Sequence, residues 1–168
     1  KMITDPESYL ANIDTALADI KAFEEKVIAD FSTIGGVEDN TPSTEIKGRI
    51  EELMQFLDGV RKEWAVYTQD KKLGTPALNI TSGYRCPALN KLVGGKSTSA
   101  HLSGYAADIQ PANGKIDAFY KFFYQYLKDR NLDFDEIFIE TSKKSKWVHF
   151  ALKSINGLQR KKYGALFV

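Results

Sequence analysis

The alternation of apolar and polar positions divides the chain into a helical first part and a second part of short strands. Leu10, Ile13, Leu17, Ile20 and Val27 recur at three- and four-residue intervals. Glu24 interrupts that stripe, and Phe23 covers the gap. Such spacing predicts an amphipathic helix. Asp5-Pro6-Glu7 supplies an N-cap, a proline in the first turn and an acid favoured by the helix dipole. The helix should run to about Phe31 and stop before Gly35-Gly36. Its polar face lacks the basic residues that membrane-surface binding needs, so core packing is the expected use.

A second helix is predicted from Thr41-Pro42-Ser43-Thr44-Glu45. Its stripe is Ile46, Ile50, Leu53, Leu57, Val60, Trp64 and Tyr67, and Lys71–Pro76 is the loop after it. From Ala77 the pattern changes. Leu78-Asn79-Ile80-Thr81 alternates as a strand does. Pro87 to Val93 reads as a short helix closed by Gly94-Gly95, and Gly104 to Gln110 as a second strand. Lys115 to Arg130 is a third long helix, burying Ile116, Phe119, Phe122, Phe123, Tyr126 and Leu127. Phe134–Glu140 and Trp147–Leu152 form a hairpin around the basic loop Thr141–Lys146. The tail from Ser154 is basic and then apolar, and its pattern predicts no element.

Composition narrows the class. The chain has 168 residues, 43% apolar and 27% charged, as an ordinary globular domain does. The formal net charge of +1 gives nucleic-acid binding no electrostatic support. No stretch approaches the ~20 apolar residues of a membrane span, and Lys1–Asp5 has no signal-type apolar core. Cys86 is alone, so no internal disulfide is available, and a small buried thiol is its expected state.

The candidate chemistry lies in Ser99–Asp108, read Ser-Ala-His-Leu-Ser-Gly-Tyr-Ala-Ala-Asp. His101 and Asp108 stand too far apart for one helical turn, but a loop entering a strand can bring both to one point. Gly104, Ala106 and Ala107 would let the backbone pass close to an ion there. His149 is the second of the two histidines in the chain. Two imidazoles and a carboxylate suit a three-ligand zinc site with a position left for water. The residues alone leave a bland reading open, in which His101 is a satisfied loop residue and His149 a core residue on an aromatic strand.

Four blocks, in order, resemble the zinc D-Ala-D-Ala carboxypeptidases. They are Ser82-Gly83-Tyr84-Arg85, then Asn90 with Val93-Gly94-Gly95, then Ser99-x-His101-x-x-Gly104-x-Ala106-x-Asp108, then Trp147-Val148-His149. That family also holds phage L-alanyl-D-glutamate endopeptidases and D-Ala-D-Ala dipeptidases, and the blocks look closest to its phage-associated branch. The likeness covers roughly residues 31–152, with Asn40-Thr41-Pro42 resembling the branch's opening. It implies an α+β fold with a small antiparallel sheet and flanking helices, shared with hedgehog domains. It leaves residues 1–30 as an added N-terminal helical extension to a peptidase-like domain over 31–168. It implies Zn2+ held by His101, Asp108 and His149, and Arg85 as the cation that grips a substrate carboxylate or carbonyl.

One position departs from that pattern. Several branches carry an acid three residues before the last zinc histidine, where this chain has Lys146. A charged lysine cannot act as a carboxylate base. A hairpin closed by Thr141–Lys146 would set Glu140 opposite Trp147 and put Glu140, Trp147 and His149 on one face. Glu140 is therefore the expected base; the other reading is that the base is missing and the domain binds without cutting well. Ser99 is expected to hydrogen-bond its loop or a ligand, Tyr105 to pack or line the cleft, and Trp147 to wall it. Lys143, Lys144 and Lys146 read as a solvated hairpin tip. The function these features imply is zinc-dependent hydrolysis of amide bonds in peptidoglycan stem peptides, at D-Ala-D-Ala or L-Ala-D-Glu. The alternative is a non-catalytic, zinc-stabilised cell-wall-binding or phage virion module on the same fold. Either acts at the bacterial cell wall, after export or as a phage product made in the host cytoplasm.

Overall fold

Ser43 opens the first of the described helices as its sequence suggests, its hydroxyl oxygen accepting the Ile46 N–H at 3.3 Å. The computed structural model describes residues 40–168, so the helix expected over 5–31 and the extension over 1–30 lie outside the described residues. Helix α1 spans Thr44–Asp70 and buries Leu53, Leu57, Val60 and Trp64, the middle of the expected stripe. Strand β1 is Leu78–Ser82, helix α2 Pro87–Leu92, and a 3₁₀ turn covers Ala100–Ser103. Strand β2 (Ala106–Pro111) leads to α3 (Ile116–Asp129), then β3 (Glu136–Thr141), β4 (Lys146–Ala151) and β5 (Lys162–Phe167). No helix among the described residues is long and apolar enough to cross a membrane.

The strands form one five-stranded sheet in the order β1-β2-β4-β3-β5. The first four pair antiparallel. β5, built from the tail whose pattern predicted nothing, joins β3 in parallel, so the α+β fold carries a mixed sheet. Its attachment is specific. Asp135 is fully buried and accepts Arg160 Nε at 2.6 Å, Arg160 Nη2 at 2.7 Å and the Arg160 backbone N–H at 3.2 Å. That fork fixes the chain as it enters β5, and the Val168 N–H closes the far end on the Thr141 carbonyl.

Strand parity divides the sheet into two chemically different faces. Ala107, Ile109, Ile137, Val148 and Phe150 face the helices and share a core with Leu57, Trp64, Phe119 and Phe123. Aromatic packing knits this layer together. Trp64 meets Phe119 edge-on at 5.1 Å, and Phe150 lies 4.7 Å from Phe123 and 5.3 Å from Phe56. Phe122 and Tyr126 are half-buried at the edge of the same layer. Asp108, His149, Phe138 and Glu140 project from the opposite face.

Gly104 has a packing role that its place in the loop did not announce. It makes room for α1. A Cβ there would lie 3.0 Å from Ile46 Cγ2, 3.1 Å from Ile50 Cγ1 and 3.2 Å from the Ile46 carbonyl oxygen. Its φ of +79° also ends the 3₁₀ turn in the left-handed region. Replacing Gly104 with Ala is therefore expected to cost about 1–3 kcal/mol, the usual scale of backbone strain and overpacking. Thermal unfolding followed by circular dichroism should show a lower midpoint.

Candidate metal centre

The 3₁₀ turn and two central strands bring together residues far apart in sequence. Ser99 caps the turn, its hydroxyl oxygen accepting the His101 N–H at 3.3 Å. β2 and β4 pair Asp108 directly with His149, so their side chains share a face. His101, Asp108 and His149 are all buried, and one ligand atom from each lies within 4.8 Å of the others. Among the described residues, this is the one group of three or more His, Cys, Asp or Glu able to hold a metal ion.

Proton positions favour a cation there. His101 Nδ1 lies 2.7 Å from the Gly83 carbonyl oxygen. A carbonyl only accepts, so Nδ1 carries the ring proton and Nε2 keeps its lone pair. Burial holds the His101 imidazole below its ordinary pKa, against the pull of the Asp108 charge, so the neutral ring is the stable form. Nε2 is 3.4 Å from Asp108 Oδ1 without hydrogen-bond geometry, and is thus a buried lone pair with no hydrogen-bond partner. Buried polar atoms are rarely left so. Two imidazoles and a carboxylate are a donor set that zinc accepts.

Asp108 is the electrostatic centre. Its Oδ1 lies 2.9 Å from His149 Nδ1, and its Oδ2 receives Arg85 Nη2 at 3.3 Å. Burial disfavours the Asp108 charge, yet the carboxyl is held well below the usual range, with the His149 Nδ1 contact among the causes. Burial likewise lowers the His149 pKa, and the Asp108 carboxylate more than reverses this, leaving it raised. The Arg85 guanidinium is positioned by its own contacts. Nε donates to Ser82 Oγ at 3.1 Å, Nη1 reaches Asn90 Oδ1 at 3.5 Å, and the backbone N–H donates to the His101 carbonyl at 3.1 Å.

The surrounding motif residues build the loops that carry these groups. Asn40 Oδ1 accepts the Cys86 N–H at 2.7 Å, tying the start of α1 to the Arg85 loop. Asn90 Nδ2 donates to the Lys96 carbonyl at 2.9 Å, and the loop passes so close that a Cβ at Gly95 would stand 2.2 Å from Asn90 Oδ1. Cys86 is a buried thiol, as expected, and its Sγ caps α2 by accepting the Leu89 N–H at 3.4 Å.

The hairpin has the register expected from its loop. Glu140 pairs with Trp147, Phe138 with His149 and Thr141 with Lys146. Burial raises the Glu140 pKa; the His149 ring opposes that, and the Asp108 charge adds to it. Arg85 also feels the Glu140 charge, which places Glu140 in the field of the same site. Trp147 Nε1 is buried with no partner in hydrogen-bond geometry. Lys146 lies at an odd offset from His149, on the helix face, where Nζ donates to both Asp117 carboxylate oxygens at 2.7 Å. Lys143 and Lys144 are exposed at the tip. Tyr105 is not brought to the metal centre: its ring packs on the core, 5.5 Å from the Arg49 guanidinium and 5.0 Å from Lys153 Nζ.

Two contributors to the site have no sequence signal of their own. The Gly83 carbonyl selects the His101 tautomer, and any residue supplies a carbonyl. Phe138 stands beside His149 through strand register alone, and nothing about an isolated phenylalanine on a strand announces that neighbour. Lys146→Ala should leave metal binding and any hydrolysis within about twofold of the parent. It should cost under ~1 kcal/mol, as expected of a partly exposed ion pair; paired kinetic and melting measurements would show both.

No individual curated protein matches the chain. A family model described as Peptidase M15 matches residues 35–151, a stretch that contains all three clustered residues together with Arg85 and Glu140. With that match covering well over half of its length, the chain belongs to the Peptidase M15 family.

Proposed function

We propose that this protein is a zinc-dependent peptidase hydrolysing amide bonds in peptidoglycan stem peptides, of the D-Ala-D-Ala carboxypeptidase or L-Ala-D-Glu endopeptidase type found in the phage-associated branch. The observation that carries the reading is the buried convergence of His101, Asp108 and His149 with an unpartnered His101 Nε2. These three residues would hold the metal. A zinc ion in such a site supplies Lewis-acid polarisation of a carbonyl and a lowered water pKa.

The protein's own groups divide the remaining work. Glu140 accepts a proton from the attacking water and returns it to the leaving amine. Its place opposite Trp147 and two residues along β3 from Phe138, the partner of His149, supports that role. Arg85 holds Asp108 through Oδ2 and provides the cation that draws a substrate carboxylate or backbone carbonyl to the site. Ser99 commits its oxygen to the His101 loop and keeps a hydroxyl proton for substrate, and Trp147 walls the cleft.

Purified sacculi incubated with the zinc-loaded protein should release peptide fragments with new amino termini. A chelator should stop that release, and added zinc should restore it. Sacculi that bind the protein but yield no zinc-dependent fragments would instead identify a non-catalytic wall-binding module.

A further inference from the structure

β5 ends the sheet, so one of its edges carries backbone groups that no described strand pairs. Which residues supply them follows from alternation along the strand. The Lys162 N–H donates to the Asp135 carbonyl at 2.8 Å, and the Val168 N–H to the Thr141 carbonyl at 2.9 Å. Even-numbered positions therefore bond toward β3, and Tyr163, Ala165 and Phe167 turn their N–H and C=O groups outward. The register with β3 runs unbroken from Lys162 to Phe167, so the outer row is as regular as the inner one. Proteins ordinarily blunt such an edge with charge, proline or a bulge. Residues 163–168, Tyr-Gly-Ala-Leu-Phe-Val, contain no charged side chain and no proline. Their apolar side chains are bare: Tyr163 is 59% exposed, Leu166 43%, Phe167 74% and Val168 58%. The strand is held by the Arg160–Asp135 fork at its start and by Tyr124, whose ring stacks on Tyr163 at 4.5 Å. The lysines at its entry are occupied within the chain, Lys161 with Asp133 and Lys162 with Glu136.

We infer that β5 is a dimerisation edge, pairing antiparallel with β5 of a second copy about a two-fold axis at Ala165. A second copy is the occupant because the edge is complementary to itself. Outward-facing residues must meet outward-facing residues, and a two-fold at Ala165 matches all three. Ala165 then exchanges both bonds with its counterpart, and Tyr163 does so with the partner's Phe167, for about six backbone hydrogen bonds. Tyr163 and Phe167 share the face of Ile137 and Thr141, so both aromatic pairs form on the helix side, where such cross-strand pairs stabilise a sheet. On the other face each Leu166 lies opposite the partner's Gly164, large against small. Charge fits the same register. Lys162 stands opposite the partner's Val168 and, at ~3.4 Å per residue, about 20 Å from the partner's Lys162. Sliding the partner by two residues toward the strand entry would set Phe167 against its Lys161 and separate the aromatic rings. A two-fold normal to the sheet keeps like faces together, so the two five-stranded sheets become one. Both metal centres then face the same side, about 24 Å apart at ~4.8 Å per strand. The pairing does not depend on the chemistry at those centres.

Sedimentation equilibrium on the full 168-residue chain measures the association. The parent should form a dimer and nothing larger, with amide exchange at Tyr163, Ala165 and Phe167 slowing as concentration rises. Ala165→Pro removes an outward N–H and no bond to β3, and the preceding Gly164 tolerates the restriction that proline imposes. This variant should be monomeric with an unchanged melting point. Two double substitutions test the register directly and decide the matter should Ala165→Pro prove less stable. Tyr163→Lys with Phe167→Lys sets like charges opposite each other and should weaken the dimer by about tenfold or more. Tyr163→Lys with Phe167→Glu sets opposite charges at the same positions and should associate at least about tenfold more tightly than the double-lysine chain. A parent that stays monomeric up to about 0.5 mM overturns the proposal, as does a dimer whose affinity is the same in the two double substitutions. A folded Ala165→Pro chain that dimerises like the parent overturns it too, since the interface then lies elsewhere. Growth beyond a dimer contradicts the closed two-fold pairing.

Discussion

Changing Glu140 to Gln is expected to lower stem-peptide hydrolysis by about 10²–10⁴-fold, the usual contribution of a positioned general base, while zinc uptake remains stoichiometric. The expectation rests on parity and register. Glu140 faces the side of the sheet that holds His149 and Asp108, and it is paired with Trp147 rather than buried in the helix layer. Glutamine keeps the shape and loses the proton acceptor. The effect should fall on kcat, because Glu140 is not among the three clustered residues. The pH profile carries a second signature. A base works only when deprotonated, so activity falls as pH drops through its pKa. Burial raises the Glu140 pKa above the ordinary carboxylate value in the metal-free protein, against the opposing His149 ring, and the profile should show an acid limb that belongs to this residue. Glu140→Gln should remove that limb from the residual activity. Steady-state kinetics across pH measures both, and full activity in Glu140→Gln would clear the residue of the role.

Changing His101 to Ala has the larger expected consequence, since it should abolish both metal retention and hydrolysis. His101 is buried, with Nδ1 committed to the Gly83 carbonyl and Nε2 left as a lone pair beside Asp108. Alanine there leaves one imidazole and one carboxylate, a poor site for zinc. Metal content after dialysis should drop from one equivalent to background, and catalysis should fall with it. The fold should persist, because the aromatic layer against α1 and α3 lies on the other face of the sheet. Far-ultraviolet circular dichroism checks that point. A variant that kept its metal would show that the three residues are not the ligands.

Much of this architecture is legible in the sequence, and the parts that are not have physical reasons. Long amphipathic stripes mark α1 and α3 because burial on one side of a helix leaves a periodic trace. The β3–β4 register follows from a short loop, and with it the face of Glu140. The same parity disposes of Lys146, whose odd offset from His149 sends it to Asp117. β5 leaves no such trace. Its six residues begin with Lys162 and contain Gly164, and they pair in parallel with a distant strand. What fixes it is the buried Asp135 gripping Arg160, a contact that no local pattern announces. Gly104 is a subtler case. A glycine within a histidine-bearing loop suggests close approach to an ion, whereas α1 presses Ile46 and Ile50 onto it from the other side.

Zinc bound by His101, Asp108 and His149 is the claim on which the rest depends. X-ray absorption at the zinc edge, on protein loaded with one equivalent, tests it. The expected spectrum shows two imidazole nitrogens with oxygen ligands completing a site of low coordination, and it should be lost in His101→Ala and in His149→Ala. Failure to take up one equivalent, or an unchanged spectrum in either variant, would contradict the central claim.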